Sequence, residues 1–310
     1  MQFRGQFSNF FNETMLPAIT GRIWANFKAK KFMGKLVLGT ETTTRSILQK
    51  AQMAGVGLPA LIGEGEDTPT DTFVQGFFKN YKPVKFGLGI GATQELVEDD
   101  EFGVISKRAV ALSNSIYQCR EIQAASVFNN GFDGTNYPLP DGQALFSASH
   151  PLIKAGGTQN NLLSTPADLD VGSLELAYTD WELTKTHEGF LQMLPTPRVM
   201  TASANRFNVT EILKSTTRSD TANRVSINAF QVGTETGSAL EPLVWPYLTD
   251  PDAWFLVASP DETETLWVDR KAPYTDSDFV KRNETGYVYM RYRADFGAFG
   301  WRGVYGTPGA

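Results

Sequence analysis

Within its 310 residues the chain has one cysteine, Cys119, and two histidines, His150 and His187. A single thiol excludes an intrachain disulfide and a cysteine-based zinc site. Long apolar runs are also missing, since no stretch approaches the roughly 18–20 residues needed to cross a bilayer. Met1 to Leu16 is interrupted by Arg4, Asn9, Asn12 and Glu13, so it does not read as a secretory signal. There is no G-x-S-x-G elbow, no H-E-x-x-H pair, no zinc-finger spacing, no RNP motif and no helix-turn-helix signal. Sequence-specific nucleic-acid binding and the common hydrolase plans are therefore not expected.

What is present is an ordinary globular composition. Hydrophobic residues make up 41% and charged residues 20%, which excludes disorder across the whole chain and allows one large domain or two smaller ones. The net charge of −6 is unevenly spread. Arg4, Arg22, Lys28, Lys30, Lys31, Lys35, Arg45 and Lys50 face only Glu13 and Glu41 in the first fifty residues, about +6, which leaves about −12 for the remainder. A basic arm on an acidic body suits contact between neighbouring copies or loose contact with nucleic-acid phosphates, and equally a solvated basic face.

The pattern of apolar residues gives a mixed α+β order. Residues 1–20 predict a short amphipathic helix with Phe3, Phe7, Phe10, Phe11 and Leu16 on one side, and 21–55 reads as an arm without a clear period. Leu58–Ile62 and Phe73–Ile90 read as two extended runs around a Gly/acid/Pro centre, residues 63–70, hence a long hairpin with exposed strand edges that needs a partner. Glu95–Asn130 is the strongest helix, with Ile105, Ala109, Leu112, Ile116 and Cys119 on one stripe, an acidic start at residues 98–101 and a stop at Asn130-Gly131. Further helices are expected at Gly172–His187 and Asn205–Lys214, and strands at Arg198–Ala202, Arg224–Phe230, Leu243–Tyr247, Trp254–Ala258, Glu264–Val268 and Tyr287–Tyr292. No regular strand–helix alternation and no internal repeat is present.

Some residues tempt a chemical reading. Gly87-Leu88-Gly89-Ile90-Gly91-Ala92 fits the dinucleotide fingerprint, which would make the chain a nucleotide-dependent oxidoreductase. Yet the position about 20 residues on falls inside the expected helix, and the acids at its start would repel a phosphate; a twisted or kinked strand entering that helix is the plainer reading. Asp141, Ser147, Ser149 and His150 hold the residue types of a hydrolase triad, and His150, His187, Asp141 and Glu188 those of a metal site, both without the usual spacing. Glu64, Glu66, Asp67, Asp276 and Asp278 read as solvated loop acids, with a weak structural cation as the alternative. Cys119 reads as a small core residue. Trp245, Trp254, Trp267 and Trp301 read as core, with interface anchors as the alternative. No catalytic residue, cofactor site or metal site is expected.

The arm, the hairpin, the long helix with its acidic start, Phe102-Gly103 after Glu98-Asp99-Asp100-Glu101, the segment Asp141-Gly142-Gln143 to His150-Pro151 and the run Asn160-Asn161-Leu162 together resemble a known family. They are similar to the major head subunits of tailed bacteriophages, specifically the Mu type, with the HK97-like capsid fold. The resemblance covers most of the chain, loosely before residue 55 and after residue 215. It implies an N-terminal arm (1–55), an extended hairpin or E-loop (56–92), and a P-domain (93–190) with a spine helix at about 97–130. An A-domain (191–286) and a C-terminal return to the P-domain (287–310) complete it. It further implies a structural, non-enzymatic protein that self-assembles into hexamers and pentamers of an icosahedral virion shell around double-stranded DNA. Scaffolding protein and portal would be partners, there would be no membrane, and assembly would take place in the host cytoplasm. A scaffolding segment is expected to come from a separate protein or a removed precursor piece. The same fold could serve an encapsulin-type compartment. Lys79, Lys82 and Lys85 lie on the expected hairpin, but none aligns with the lysine that HK97 itself uses to weld subunits, so no covalent crosslink is expected.

Overall fold

Along Thr285–Ala298, Val288, Met290, Tyr292 and Ala294 are buried while the residues between them are half-buried, the two-residue period of a strand with one face on a core. Its neighbour Thr265–Val280 is longer still, 16 residues against 14. The computed structural model describes residues 9, 11–99, 103–217, 227–232, 239–280 and 282–310.

A π-helical run at Phe11–Met15 leads into α1 (Leu16–Ala29), where Pro17 occupies the first turn, a position that needs no backbone donor. Ile19 and Ile23, one turn apart, are the buried stripe of α1, so the helix continues through Gly21 and the segment is packed rather than a loose arm. Then come α2 (Gly34–Val37), β1 (Gly39–Thr42), β2 (Leu48–Ala54), β3 (Val74–Tyr81) and β4 (Val84–Thr93). The expected single helix is two. Gln94–Glu98 forms α3, and Val104–Asn129 forms the 26-residue α4, about 39 Å long. Gly103 enters α4 in the left-handed region at φ +63°, a conformation through which a right-handed helix cannot run. Glu98 and Asp99 therefore end α3 instead of starting the long helix, and Asp100 and Glu101 lie outside the described residues.

The paired segments His150–Pro151 (β5) and Thr158–Gln159 (β6) precede α5 (Val171–Glu182), which opens on a reciprocal capping box between Asp170 and Ser173. α5 stops five residues before the expected end because the chain folds back at Gly189, φ +89°, pairing Lys185 with Leu191. β7 (Arg198–Thr201), α6 (Arg206–Lys214), α7 (Ala229–Val232), β8 (Glu241–Val244), β9 (Trp254–Val257), β10 (Thr265–Val280), β11 (Thr285–Ala298) and β12 (Val304–Thr307) complete the order. Of the strand expected at 224–230, residues 224–226 lie outside the described set, Ile227 makes one isolated bridge to Thr217, and 229–230 are helical.

The first sheet has the order β1-β10-β11-β4. Its apolar face packs on α4, and α1 lies beside α4, its Trp24 indole donating to Thr275 of β10 at 3.4 Å; Ile105, Ala109, Leu112, Ile116 and Phe128 of α4 join one core with Ile23, Val288, Met290 and Tyr292. The second sheet has the order β12-β9-β7-β8. Alternation along β9 sends Phe255 and Val257 into the α4 core, and Trp254 and Leu256 into a second core with Leu174, Trp181, Val209 and Ile212 from α5 and α6. Trp245, Trp254, Trp267 and Trp301 are all buried, so none is an exposed anchor. Cys119 is half-buried and receives the Tyr292 hydroxyl at 3.3 Å, because the α4 stripe turns toward Arg120 at that level.

The hairpin differs from expectation in its partners. β3 pairs antiparallel with β2, not with residues 58–62, which form no strand. β4 leaves the ribbon at Lys82-Pro83 and joins β11 in the first sheet. The pairing of β2 and β3 makes a two-stranded ribbon, and the connection 55–73 is its tip.

Candidate functional site

The glycine run at 87–92 lies inside β4, with no strand-to-helix turn that could cradle a pyrophosphate. Gly87, Gly89 and Gly91 stand directly opposite Arg291, Tyr289 and Tyr287 of β11. A Cβ at any of the three would overlap the side chain facing it. The glycines make room for a ladder on the sheet surface: the Tyr287 and Tyr289 rings stack at 6.1 Å, and the Arg291 guanidinium lies 4.4 Å from the Tyr289 ring while bonding Asp276 at 2.7 Å. The run is a strand, as the plainer reading expects, paired with β11 without a register shift, and the nucleotide reading has no loop to stand on.

The residues of the supposed triad do meet, but as a knot. His150 is fully buried, stacked on Trp301 with ring centroids 4.8 Å apart. Its Nδ1 lies 2.7 Å from Asp141 Oδ2 and its Nε2 3.1 Å from Asn161 Oδ1. The Asn161 amide nitrogen donates to the carbonyls of Leu145 and Val304, which orients the amide with its oxygen toward His150 Nε2. The Ser147 and Ser149 hydroxyls donate to Gln143 Oε1 at 3.3 and 3.4 Å rather than to the imidazole. Neither serine is activated, and no proton shuttle is formed. The two segments singled out in the sequence, 141–151 and 160–162, thus fasten each other and the terminal strand β12.

His187 lies elsewhere. Arg302 donates to its Nε2 at 2.8 Å, and burial together with that guanidinium pushes the imidazole down to about 4. Among the described residues no group of three His, Cys, Asp or Glu could hold a metal ion. No described helix is long and apolar enough to cross a membrane.

These buried groups anchor the ribbon, a role not read from the sequence. Gln52 of β2 donates to Glu264 at 2.9 Å, and Glu264 accepts the Arg302 backbone N–H at 3.3 Å. Burial raises the Glu264 carboxyl, with the Arg302 charge opposing. From the turn between β5 and β6, Lys154 reaches Asp71 at 2.5 Å and the Gly55 and Thr72 carbonyls. The Lys154 ammonium, with the Gly57 and Thr72 N–H groups, holds Asp71 down to about 2. His187 closes the same junction, since its carbonyl accepts the N–H of Lys154 and Ala155.

The unfolded chain takes up the His187 proton near pH 6.5 and the folded chain only near 4. The stability it contributes is therefore full above pH 6.5 and is lost as pH falls from there to about 4. Allowing for partial solvent access, H187Q should remove about 2 kcal/mol of the stability loss between pH 7.5 and 4.5. Urea unfolding of both proteins at the two pH values tests this; equal losses would contradict it.

Beyond its anchor the ribbon is bare. Residues 56–75 are all exposed, including Leu58 at 73%, Leu61 at 100%, Ile62 at 42% and Phe73 at 68%. At the tip, Glu66 N–H donates to the Gly63 carbonyl at 3.2 Å, with Gly65 at φ +83° in the third position, the geometry that selects glycine there. Lys79, on β3, points back toward the body: its ammonium lies 5.5 Å from the Tyr81 ring, and burial lowers its proton affinity. Lys82 and Lys85 are exposed.

Residues 79–307 match a family described as phage capsid protein. No curated protein matches the chain. Among solved structures, the capsid of the cyanophage P-SCSP1u is 9% identical over 91% of this chain and 89% of that chain, with a TM-score of 0.58. The capsid of Ralstonia phage GP4 is 12% identical over 90% and 91%, with a TM-score of 0.55. The procapsid of bacteriophage JBD30 is 14% identical over 95% and 75%, with a TM-score of 0.50. At such identities the likeness is one of fold, and the α+β, HK97-like fold expected from the sequence is the one found. With about three-quarters of its length matched, the chain belongs to the phage capsid protein family.

Proposed function

We propose that this capsid subunit assembles through its own copies, as hexamers and pentamers, into the icosahedral head of a phage enclosing double-stranded DNA. The observation that carries this reading is the ribbon, anchored at its base by Lys154 and Glu264 but uncovered from residue 56 to residue 75. A protein does not usually hold out a ribbon with several large apolar side chains in water unless something covers it. A second copy supplies that cover repeatedly in a shell. In this reading the expected bounds, arm 1–55, E-loop 56–92, P-domain 93–190, A-domain 191–286 and C-terminal return 287–310, are redrawn: β2 joins β3 and the tip in the E-loop, β4 passes to the P-domain with α4 and the first sheet, and α5 and β12 join α6 and the second sheet in the A-domain. The Mu-type grouping, carried by residues 141–151 and 160–162, is part of the same reading. So are a separate scaffolding protein, a portal, weak non-specific contact with packaged DNA, residence in the virion and assembly in the host cytoplasm.

The subunits associate without covalent linkage. Expression with a scaffolding protein should give closed particles by electron microscopy, and purified particles should run on a denaturing gel as one band at the subunit mass. A protein that stays monomeric under every assembly condition would overturn the shell reading. A ladder of linked subunits would overturn the non-covalent part.

A further inference from the structure

β3 aims one lysine at the body with no acid bonded to it. Alternation along the strand puts Lys79 on the same face as the buried Tyr81, and in register it stands directly opposite Lys50 of β2. Like charges across a ladder repel, and Lys50 is neutralised by Glu41 at 2.5 Å. Lys79 makes no described hydrogen bond or ion pair. Gly297 leaves room for its ammonium, since a Cβ there would overlap Nζ. Asp295 acts on the ammonium through space, while its own oxygens accept the N–H groups of Lys82 at 2.5 Å and Phe296 at 2.9 Å.

The half-buried Lys79 lines a cleft of about 290 Å³ between the end of α4, the loop after it and the end of β11. Val127, Leu139, Leu145 and Phe296 give the cleft apolar walls, and Asn130 adds an amide. No acidic residue is among the described residues that line it. The carbonyl end of α4 would favour a cation, but the Ser126, Phe128, Asn130 and Gly131 carbonyls already accept backbone N–H groups. A cation drawn into apolar surroundings costs free energy until an anion meets it.

We propose that this cleft binds a small organic carboxylate, its head on the Lys79 ammonium and the Asn130 amide, its apolar body against Val127, Leu139, Leu145 and Phe296. One cation calls for a singly charged head, whereas a phosphate group of charge about −2 would stay half unmatched. The apolar walls and the small volume call for a short aliphatic or one-ring body. A bound carboxylate would also restore the proton affinity that burial takes from Lys79. The site lies within one subunit, so it stands apart from the assembly reading and is tested on unassembled protein.

Benzoate is the probe, with benzamide as its uncharged counterpart. Calorimetric titration of the subunit should give a benzoate Kd on the order of 1 mM or tighter, with benzamide at least about tenfold weaker. K79Q should melt at or above the wild-type temperature, because it removes an unpaired charge, and should lose at least about tenfold in benzoate affinity. A second readout needs no variant. At about five times its Kd, benzoate should slow acetylation of Lys79 about sixfold by mass spectrometry and leave the exposed Lys82 and Lys85 unchanged. Absence of benzoate binding, equal binding of benzamide, unchanged benzoate affinity in K79Q, or acetylation of Lys79 indifferent to benzoate overturns the proposal. Protection of Lys79 on particle assembly, with no benzoate binding by the free subunit, would give the anion's place to an acidic side chain of a second copy and overturn it likewise.

Discussion

Replacing residues 58–70 by a short Gly/Ser linker should leave a subunit that folds and melts as before but forms no shell. All thirteen residues are exposed, and their described hydrogen bonds join Gly63 to Glu66 within the tip. The anchoring groups Gly55, Gly57, Asp71 and Thr72 stay in place. Removing solvated loop residues away from packed features changes stability by about 0.5 kcal/mol or less, and loop closure varies only slowly with length. Assembly is affected far more. Covering Leu58, Leu61 and Ile62 is worth about 1.5–3 kcal/mol each when burial is complete, so even half of that is about 2–4 kcal/mol for each subunit contact. At about 1.4 kcal/mol per tenfold, every contact weakens by one to three orders of magnitude, and a shell multiplies the loss over all its contacts. Sedimentation and negative-stain images of wild type and deletion, beside thermal melts of the unassembled subunits, test both halves. Closed particles from the deletion would contradict the role given to the tip, and a collapsed melt would contradict its independence from the core.

Much of the spine and of the second lobe was readable because local signals agreed there. α4 shows its apolar stripe and stops at Asn130, α6 begins one residue from its expected start, and Trp254–Val257 is a run of large apolar residues too short for a helix. Signals failed where they conflicted. Leu48-Gln49-Lys50-Ala51-Gln52-Met53-Ala54 has a helix-favouring composition, yet it is a strand because β3 lies beside it and Gln52 finds Glu264. Gly21 suggested a break in a helix that Ile19 and Ile23 hold against α4. β10 runs from Thr265 past Pro273 because register shifts between Asp269 and Tyr274 absorb the irregularity, which a strand pattern does not announce. The knot around His150 was visible as an unusual segment. That Asp141 and Asn161 would clasp the imidazole required knowing the folds of two separate loops.

W245A should be the most damaging single substitution in the subunit. Trp245 is fully buried, with its ring edge-on to Phe128 at 6.2 Å, and its indole N–H donates to Glu121 Oε2 at 3.0 Å. Glu121, also fully buried on α4, uses its other oxygen to accept the Met33 N–H at 2.7 Å. Truncation opens a cavity costing about 3–5 kcal/mol and strips a donor from a buried carboxylate, about 1–3 kcal/mol more. That sum, about 4–8 kcal/mol, rivals the whole stability of a typical domain, so the variant should be largely insoluble. W245F separates the two causes. It keeps most of the ring volume and loses the donor, so it should fold with a loss of about 1–3 kcal/mol in urea unfolding. Adding E121Q in that background replaces the carboxylate by a neutral amide that can still accept the Met33 N–H, and should recover part of the loss as a measurable coupling energy. If W245F matched wild type, the buried carboxylate would not depend on the indole. Were W245A also to unfold within about 1 kcal/mol of wild type, the packing of the second lobe against the end of α4 would be far looser than these contacts require.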